Sequence, residues 1–439
     1  MKEKMSFSQL LALSLMLFAL FFGAGNMIFP PAMGQLAGTN VWAALAGFIF
    51  TDVGLPLLAI AAVVFAGRSL DTMAGRAGKK FGKFFIILIY LLIGPFFAIP
   101  RTGSVSFEMV VTPFLGADTN PMVFSLIFTI LFFSAVYILS ANPTKIVSIV
   151  GRVLTPILLI AVFIIGLTAV INPIGTLGEP VGDYNTIAFF KGMVEGYMAM
   201  DALAAGIFAL IVIQNVEAMG IKSERNIVKY TLLAGLMAAV GLAVVYGILA
   251  YVGATAGPLG EFANGGQLLS AVSKHMFGTT GMLILGIAVL FACLTTAIGL
   301  TTACGEYFSE HFEKLEYNHV IIAVVLFSFV VSNVGLTQLL SITVPGLLMV
   351  YPVLMALVLA GFLNGLFKDR QAIYAGILIG TAMISIPNGL ETLFVTYGLD
   401  AAALSNVLQM VPMYNLGLGW VIPAVIGGVI GFIVSAVKK

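Results

Sequence analysis

Charge is scarce in this sequence. Of 439 residues, 20 are lysine or arginine and 19 are aspartate or glutamate, 9% in all, where an ordinary soluble domain carries about 25%. The two signs nearly cancel to a net charge of +1, so no basic field is left to attract a phosphate backbone and nothing recommends nucleic acid as a partner. Cysteine is nearly absent: Cys293 and Cys304 share one apolar run, where cysteine behaves as a small hydrophobe, and disulfide frameworks and cysteine metal sites fall away. The three histidines, His275, His311 and His319, lie in or beside polar connections, which leaves no haem ligands inside a membrane. The apolar runs contain no histidine beyond His319 at the very start of one of them, no HExxH and no GxSxG, the parts an intramembrane enzyme would need.

What is present is apolar residue, 60% of the chain. A soluble fold is excluded, and the class is an all-α polytopic membrane protein, because about 20 apolar residues cross the hydrocarbon core as a helix and the runs are too long for barrel strands. The pattern predicts twelve transmembrane helices at 6–33, 40–66, 82–113, 121–140, 145–171, 186–217, 226–256, 279–310, 317–334, 337–364, 371–397 and 416–437. The start, Lys2 and Lys4 followed by LLALSLMLFALFFGAG, imitates a secretory signal peptide. The apolar stretch runs on through Asn26-Met27-Ile28-Phe29-Pro30-Pro31, so it is expected to stay as the first span.

An even number of spans puts both termini on one side, and the positive-inside rule makes that side cytoplasmic. Lys2, Lys4, Arg68, Arg76, Lys79, Lys80, Lys83, Lys145, Arg152, Lys222, Arg225, Lys229, Lys314, Lys368, Arg370, Lys438 and Lys439 all fall there. Only Lys274 lies in the opposite loops, with Arg101 and Lys191 near outer span ends. The longest connections, 257–278 and 398–415, are too short for a soluble domain; the glycine-rich stretch 253–267 reads as a flexible connector or as a cover over an outer entrance.

Two spans are interrupted. Span 1 carries Phe22-Gly23-Ala24-Gly25-Asn26 near its middle, with Pro30 and Pro31 a turn later, and glycine and proline are both poor in continuous helix. Span 6 carries Glu195-Gly196-Tyr197-Met198-Ala199-Met200-Asp201, with an ionisable residue at a depth where it is costly. First and sixth are corresponding members of two successive five-helix blocks, which points to an inverted-repeat secondary transporter: 1–180 and 181–366 as the repeats, and 367–439 as two peripheral helices. Unwound carbonyls suit a cation, and the N-terminus of a half-helix suits an anion, so a zwitterionic amino acid matches. Each break also has a plain structural reading, Gly23 and Gly25 as close-packing positions and Asp201 as an N-cap. Arg101 and Glu108 share a face and read as an outer gate with Glu195 or Asp52, or as mutual neutralisation.

Over essentially its whole length the sequence resembles the bacterial branched-chain amino acid:cation symporters, the BrnQ-like LIVCS family, through FALFFGAGNMIFPP ending at Pro31, GPFFAIPRT at 94–102, GYMAMD at 196–201, ACLTTAIGLTTAC at 292–304 and SNVGL at 332–336. That family is similar to the LeuT-like transporters of the amino acid–polyamine–organocation superfamily. The resemblance implies a LeuT-like 5+5 inverted repeat with broken helices 1 and 6, and import of leucine, isoleucine and valine across the cytoplasmic membrane. It implies coupling to Na+ in preference to H+ or Li+, with no other cofactor, the membrane lipid as surroundings and no obligate protein partner. By the same resemblance the carbonyls of Ala19, Phe22 and Ala292 and the hydroxyls of Thr295 and Thr296 hold Na+. Both threonines also have the plain role of bonding their own i−4 carbonyls. Gly23, Ala24, Gly25 and Asn26 would meet the substrate carboxylate, and the backbone near Tyr197, Met198, Met200 and Asp201 the ammonium. Phe96, Phe97, Met200 and Phe208 would line the side-chain pocket, or simply pack. A second sodium is not expected, because span 7 from 231 to 256 contains no asparagine; Val153 to Val170 of span 5 contain no lysine, where proton-coupled relatives can place one. A transporter of another small neutral amino acid, or a membrane channel, is the alternative reading.

Overall fold

A computed structural model of the chain describes residues 4–65, 70–116, 118–141, 155–367 and 370–437. Lys2, Arg68, Lys145, Arg152, Lys368, Lys438, Lys439 and the first part of span 5 lie outside the described residues. Regular structure among the described residues is helical throughout: α1 Phe7–Phe21, α2 Ala24–Ala37, α3 Val41–Ile49, α4 Leu55–Phe65, α5 Leu70–Gly75, α6 Lys79–Leu91, α7 Ala98–Val110, α8 Pro121–Ser140, α9 Thr155–Ile171, α10 Ala188–Tyr197, α11 Asp201–Ala218, α12 Glu224–Ala254, α13 Gly265–His311, α14 Tyr317–Ser332, α15 Leu336–Phe362, α16 Asn364–Phe367, α17 Gln371–Thr396, α18 Ala402–Gln409 and α19 Val421–Val437. Eight helical segments among the described residues are long and apolar enough to cross a membrane; α1, α14, α19 and Leu159–Ile171 are shorter apolar helices. Helix is the outcome because the segments are apolar on most faces and must satisfy their backbone groups internally.

Both predicted interruptions are real but narrower than expected. In span 1 only Phe22 and Gly23 leave the helix; Gly25, Asn26, Pro30 and Pro31 all lie inside α2. The prolines are tolerated because α12 packs tightly there: a methyl group on Gly253 would stand 2.0 Å from the Pro31 carbonyl oxygen, and neighbouring helices absorb such defects. In span 6 the break is Met198-Ala199-Met200, with Met200 in the left-handed region at φ 75°. Met200 therefore occupies the N-cap position of α11, and Asp201 is its first helical residue rather than its cap.

Two connections hold more helix than the sequence suggested. The stretch 257–278 contains the first part of α13, which bends at Gly278 (φ 64°) before span 8 begins, and Asn264 starts it by accepting from the N–H groups of Gly266 and Gln267. The stretch 398–415 contains α18. Spans 2 and 3 each carry a π-helical turn, Phe50–Gly54 and Leu92–Phe96, that apolar periodicity does not register; such turns mark functional positions in many helices.

The chain forms two compact units interleaved in sequence. One is Met1–Val53, Tyr90–Met200 and Ile211–Leu339; the other is Gly54–Ile89, Asp201–Leu210 and Leu340–Lys439. In the first, α2 lies against α12 and α13, α10 against α3, and α7 against α13. In the second, α17 and α19 run antiparallel along a seam of small residues: methyl groups on Gly376 and Gly427 would each stand 2.0 Å from the other's carbonyl oxygen. Such seams let backbones approach where lipid supplies no hydrophobic drive for helix association.

Candidate functional site

The span 1 break begins where α1 ends. Phe22 leaves the helical conformation (φ −72°, ψ 84°), and Gly23 N–H, which would close the next turn onto the Ala19 carbonyl, donates to Asn26 Oδ1 at 3.1 Å. The backbone at Ala19 and Phe22 thus departs from the regular ladder. Gly23, as N-cap of α2, has no side chain to satisfy the first-turn N–H groups, so the N-terminus of α2 offers donors and the positive end of its dipole.

Asn26 holds this corner in place. Its Nδ2 donates to Asp52 Oδ2 at 3.4 Å and to the Tyr246 hydroxyl in a short contact. Asp52, fully buried, sits in the π turn of span 2. Tyr246 comes from α12. The Asn26 position is thus shared with a carboxylate and a phenol that the sequence reading had not assembled.

Thr295 and Thr296 of α13 are buried close by. A methyl group on Gly23 would meet Thr296 Oγ1 at 2.9 Å, so this hydroxyl faces the break directly. Thr296 Oγ1 is buried with no hydrogen-bond partner among the described residues. Thr295 Oγ1 donates to the Phe291 carbonyl at 2.8 Å, the plain i−4 role, and keeps lone pairs for another contact. Ala19, Phe22 and Ala292 are buried as well.

The two breaks meet through Arg101, which is 3% exposed. Its Nη1 donates to the Met198 carbonyl at 2.5 Å and its Nη2 to the Ala199 carbonyl at 3.0 Å. The guanidinium also lies 5.4 Å from the centre of the Phe29 ring on α2. A methyl group on Gly25 would fall 2.5 Å from Arg101 Nη2 and 3.0 Å from the Ala199 Cα. Gly25 is needed because the arginine and the span 6 break occupy the space a side chain would take. The Met198 carbonyl, part of the backbone expected near the substrate ammonium, receives a guanidinium in this structure.

The carboxylates considered for an outer gate each have a partner in this structure. Glu108 accepts from Gln267 Nε2 at 2.6 Å, Glu195 pairs with Lys191 at 3.3 Å, and Asp52 is bonded to Asn26. Of the expected pocket residues, Tyr197 and Met200 are buried in the first unit with Met198. Phe96 is partly exposed, its ring 5.4 Å from that of Phe327, so it packs against α14; Phe97 is half-buried at the start of α7. Asp201 and Phe208, both buried on α11, belong to the second unit. There the N–H of Ala202 donates to the Tyr351 hydroxyl at 3.2 Å, giving the first turn of α11 a partner from α15. Nothing around Tyr351 in sequence marks this role. Arg101 was visible as an intramembrane charge, a functional position by default, but its acceptors were not.

Paired helix breaks, one offering amide donors and the other carbonyls, are the arrangement found at transporter binding sites. The comparisons agree. A family described as branched-chain amino acid transport protein matches residues 6–438, and the chain belongs to that family. It is 46% identical over 438 residues to the branched-chain amino acid permease BrnQ of Bacillus subtilis (strain 168), covering 99% of this chain and 98% of the relative. Among solved structures, Mhp1, a nucleobase-cation-symport-1 family transporter with bromovinylhydantoin bound, aligns with a TM-score of 0.61 at 15% identity, covering 97% of this chain and 92% of that one. MhsT in complex with L-phenylalanine aligns at 0.51 and 16%, covering 97% and 98%. These likenesses establish a transporter fold.

Proposed function

We propose that the protein imports leucine, isoleucine and valine across the bacterial cytoplasmic membrane together with Na+, by alternating access. The observation that carries this reading is the meeting of Gly23 with the unpartnered, buried Thr296 hydroxyl. A donor set of the Ala19, Phe22 and Ala292 carbonyls with the Thr295 and Thr296 hydroxyls is all neutral oxygen, suited to a hard monovalent cation. The bound ion would tie α1 to α13, and occupancy would bias one arrangement of the two breaks, linking the ion gradient to substrate movement. The substrate carboxylate would lie at Gly23, Ala24, Gly25 and Asn26, the uncapped N-terminus of α2, with Tyr197, Met198 and Met200 beside it. In this frame twelve spans form a LeuT-like core of two inverted five-helix repeats, with α17 and α19 outside it. Similarity to a named branched-chain permease supports the substrate class.

The test is uptake of radiolabelled leucine into proteoliposomes under an imposed Na+ gradient, an imposed pH gradient, or neither. Accumulation driven by Na+ and competed by isoleucine and valine is the expected result; accumulation driven by the pH gradient alone overturns the coupling. Orientation has its own test. A thiol introduced at the exposed Glu261 is expected to react with an impermeant maleimide added outside intact cells, and one at the exposed Lys79 to be protected. The reverse pattern contradicts cytoplasmic termini. Glu261 is the better reporter in that loop because Asn264 is buried and caps α13.

A further inference from the structure

Away from the breaks, α15, α17 and α19 leave an apolar groove with a volume of about 500 Å³. Leu359, Leu363, Phe367, Trp420, Val425 and Phe432 are among its walls, and Val425 and Phe432 are each more than half exposed. The antiparallel pairing of α17 with α19 sets its direction: Ala372 meets Gly431 and Gly380 meets Pro423. Arg370, at the start of α17, therefore stands beside the C-terminal end of α19, and Trp420 marks the other end. From Trp420 to Phe432 the helical rise is about 18 Å, more than half of the roughly 30 Å hydrocarbon core.

Arg370 gives the groove a charged mouth. Its guanidinium is 5.4 Å from the centre of the Phe432 ring, and its Nη1 donates to Ser435 Oγ at 3.5 Å. It forms no ion pair with a carboxylate among the described residues.

We propose that this groove binds an anionic phospholipid, with one acyl chain along the apolar walls and the phosphate on Arg370. The walls carry too few polar groups to hold a hydrophilic solute, and their exposed apolar side chains, Val425 and Phe432 among them, suit an acyl chain. A guanidinium with no carboxylate partner among the described residues is complementary to phosphate. An anionic headgroup is preferred because a zwitterionic one brings its own ammonium to compete for the phosphate and offers no net charge to Arg370.

The chain contains two tryptophans, Trp42 and Trp420, so Trp42→Phe leaves Trp420 in the groove wall as the single reporter. That variant, reconstituted in equal parts of phosphatidylglycerol and phosphatidylcholine, is examined with bromine on the acyl chains of one lipid or the other. Brominated phosphatidylglycerol is expected to associate with and quench Trp420 about fivefold more strongly than brominated phosphatidylcholine, the preference that one interfacial basic residue confers. Adding Arg370→Gln should bring the ratio to about one, and Arg370→Lys should keep most of it. Equal quenching by the two lipids in the parent, or a ratio that Arg370→Gln leaves unchanged, overturns the proposal. Absence of quenching by either lipid, with Val429→Cys protomers cross-linking to each other, also overturns it and assigns the groove to a second copy of the chain.

Discussion

Arg101→Gln is expected to reduce leucine uptake at least a hundredfold while the protein still reaches the membrane. The guanidinium spans two acceptors, the Met198 and Ala199 carbonyls, and glutamine can serve only one. An abandoned buried carbonyl costs about 1–3 kcal/mol, and a hundredfold corresponds to about 2.7 kcal/mol. The loss should fall on function because the span 6 break, with Met200 at φ 75°, is the strained element this arginine holds. Arg101→Lys should recover little: an ammonium restores the charge but not the planar fork. Uptake in proteoliposomes, normalised to reconstituted protein, is the measurement. Activity within threefold of the parent in Arg101→Gln would show that the two breaks are positioned by something else.

The double substitution Thr295→Ala with Thr296→Ala should raise the Na+ concentration needed for half-maximal leucine uptake by at least about tenfold, or about 1.4 kcal/mol. Two hydroxyl ligands are lost, whereas the apolar surroundings and the α2 N-terminus stay. Thr296→Ala alone should account for most of the change. Its hydroxyl faces Gly23 without a partner, whereas the Thr295 hydroxyl already donates to the Phe291 carbonyl. Changes among the substrate-pocket residues should instead alter the preference among leucine, isoleucine and valine at fixed Na+. If the correctly inserted double variant kept the parent's Na+ dependence, the cation would not be held by α13 and the proposed coupling would fail at its most specific point.

Composition by itself marked a membrane protein, and apolar run length placed helices on stretches that are helical among the described residues. Length and hydropathy decide this because a membrane helix needs only enough apolar surface and an internally bonded backbone. The breaks were also visible: Gly23 and the Met198-Ala199-Met200 segment interrupt otherwise apolar helix. Their extents were not, since Pro30 and Pro31 weigh against helix locally and the packing of α12 outweighs them. The π turns at Phe50–Gly54 and Leu92–Phe96 left no mark, because one extra residue in a turn does not disturb an all-apolar pattern. Nor did the helix at the start of α13, whose glycines and polar residues read as loop until Asn264 caps it.

What only the tertiary structure decided is the partnership of the polar groups. Arg101 and Asp52 were legible as charges too costly to be idle in a membrane. No spacing indicates that Arg101 reaches the carbonyls of span 6, that Asp52 and Tyr246 share Asn26, or that Tyr351 meets the N-terminus of α11. Those pairs are separated by 26 to 220 residues in sequence and are joined only when the helices pack. Hydropathy records how well each segment tolerates lipid, one residue at a time. A hydrogen bond between segments depends on where both ends stand in space, and that information arises only on folding.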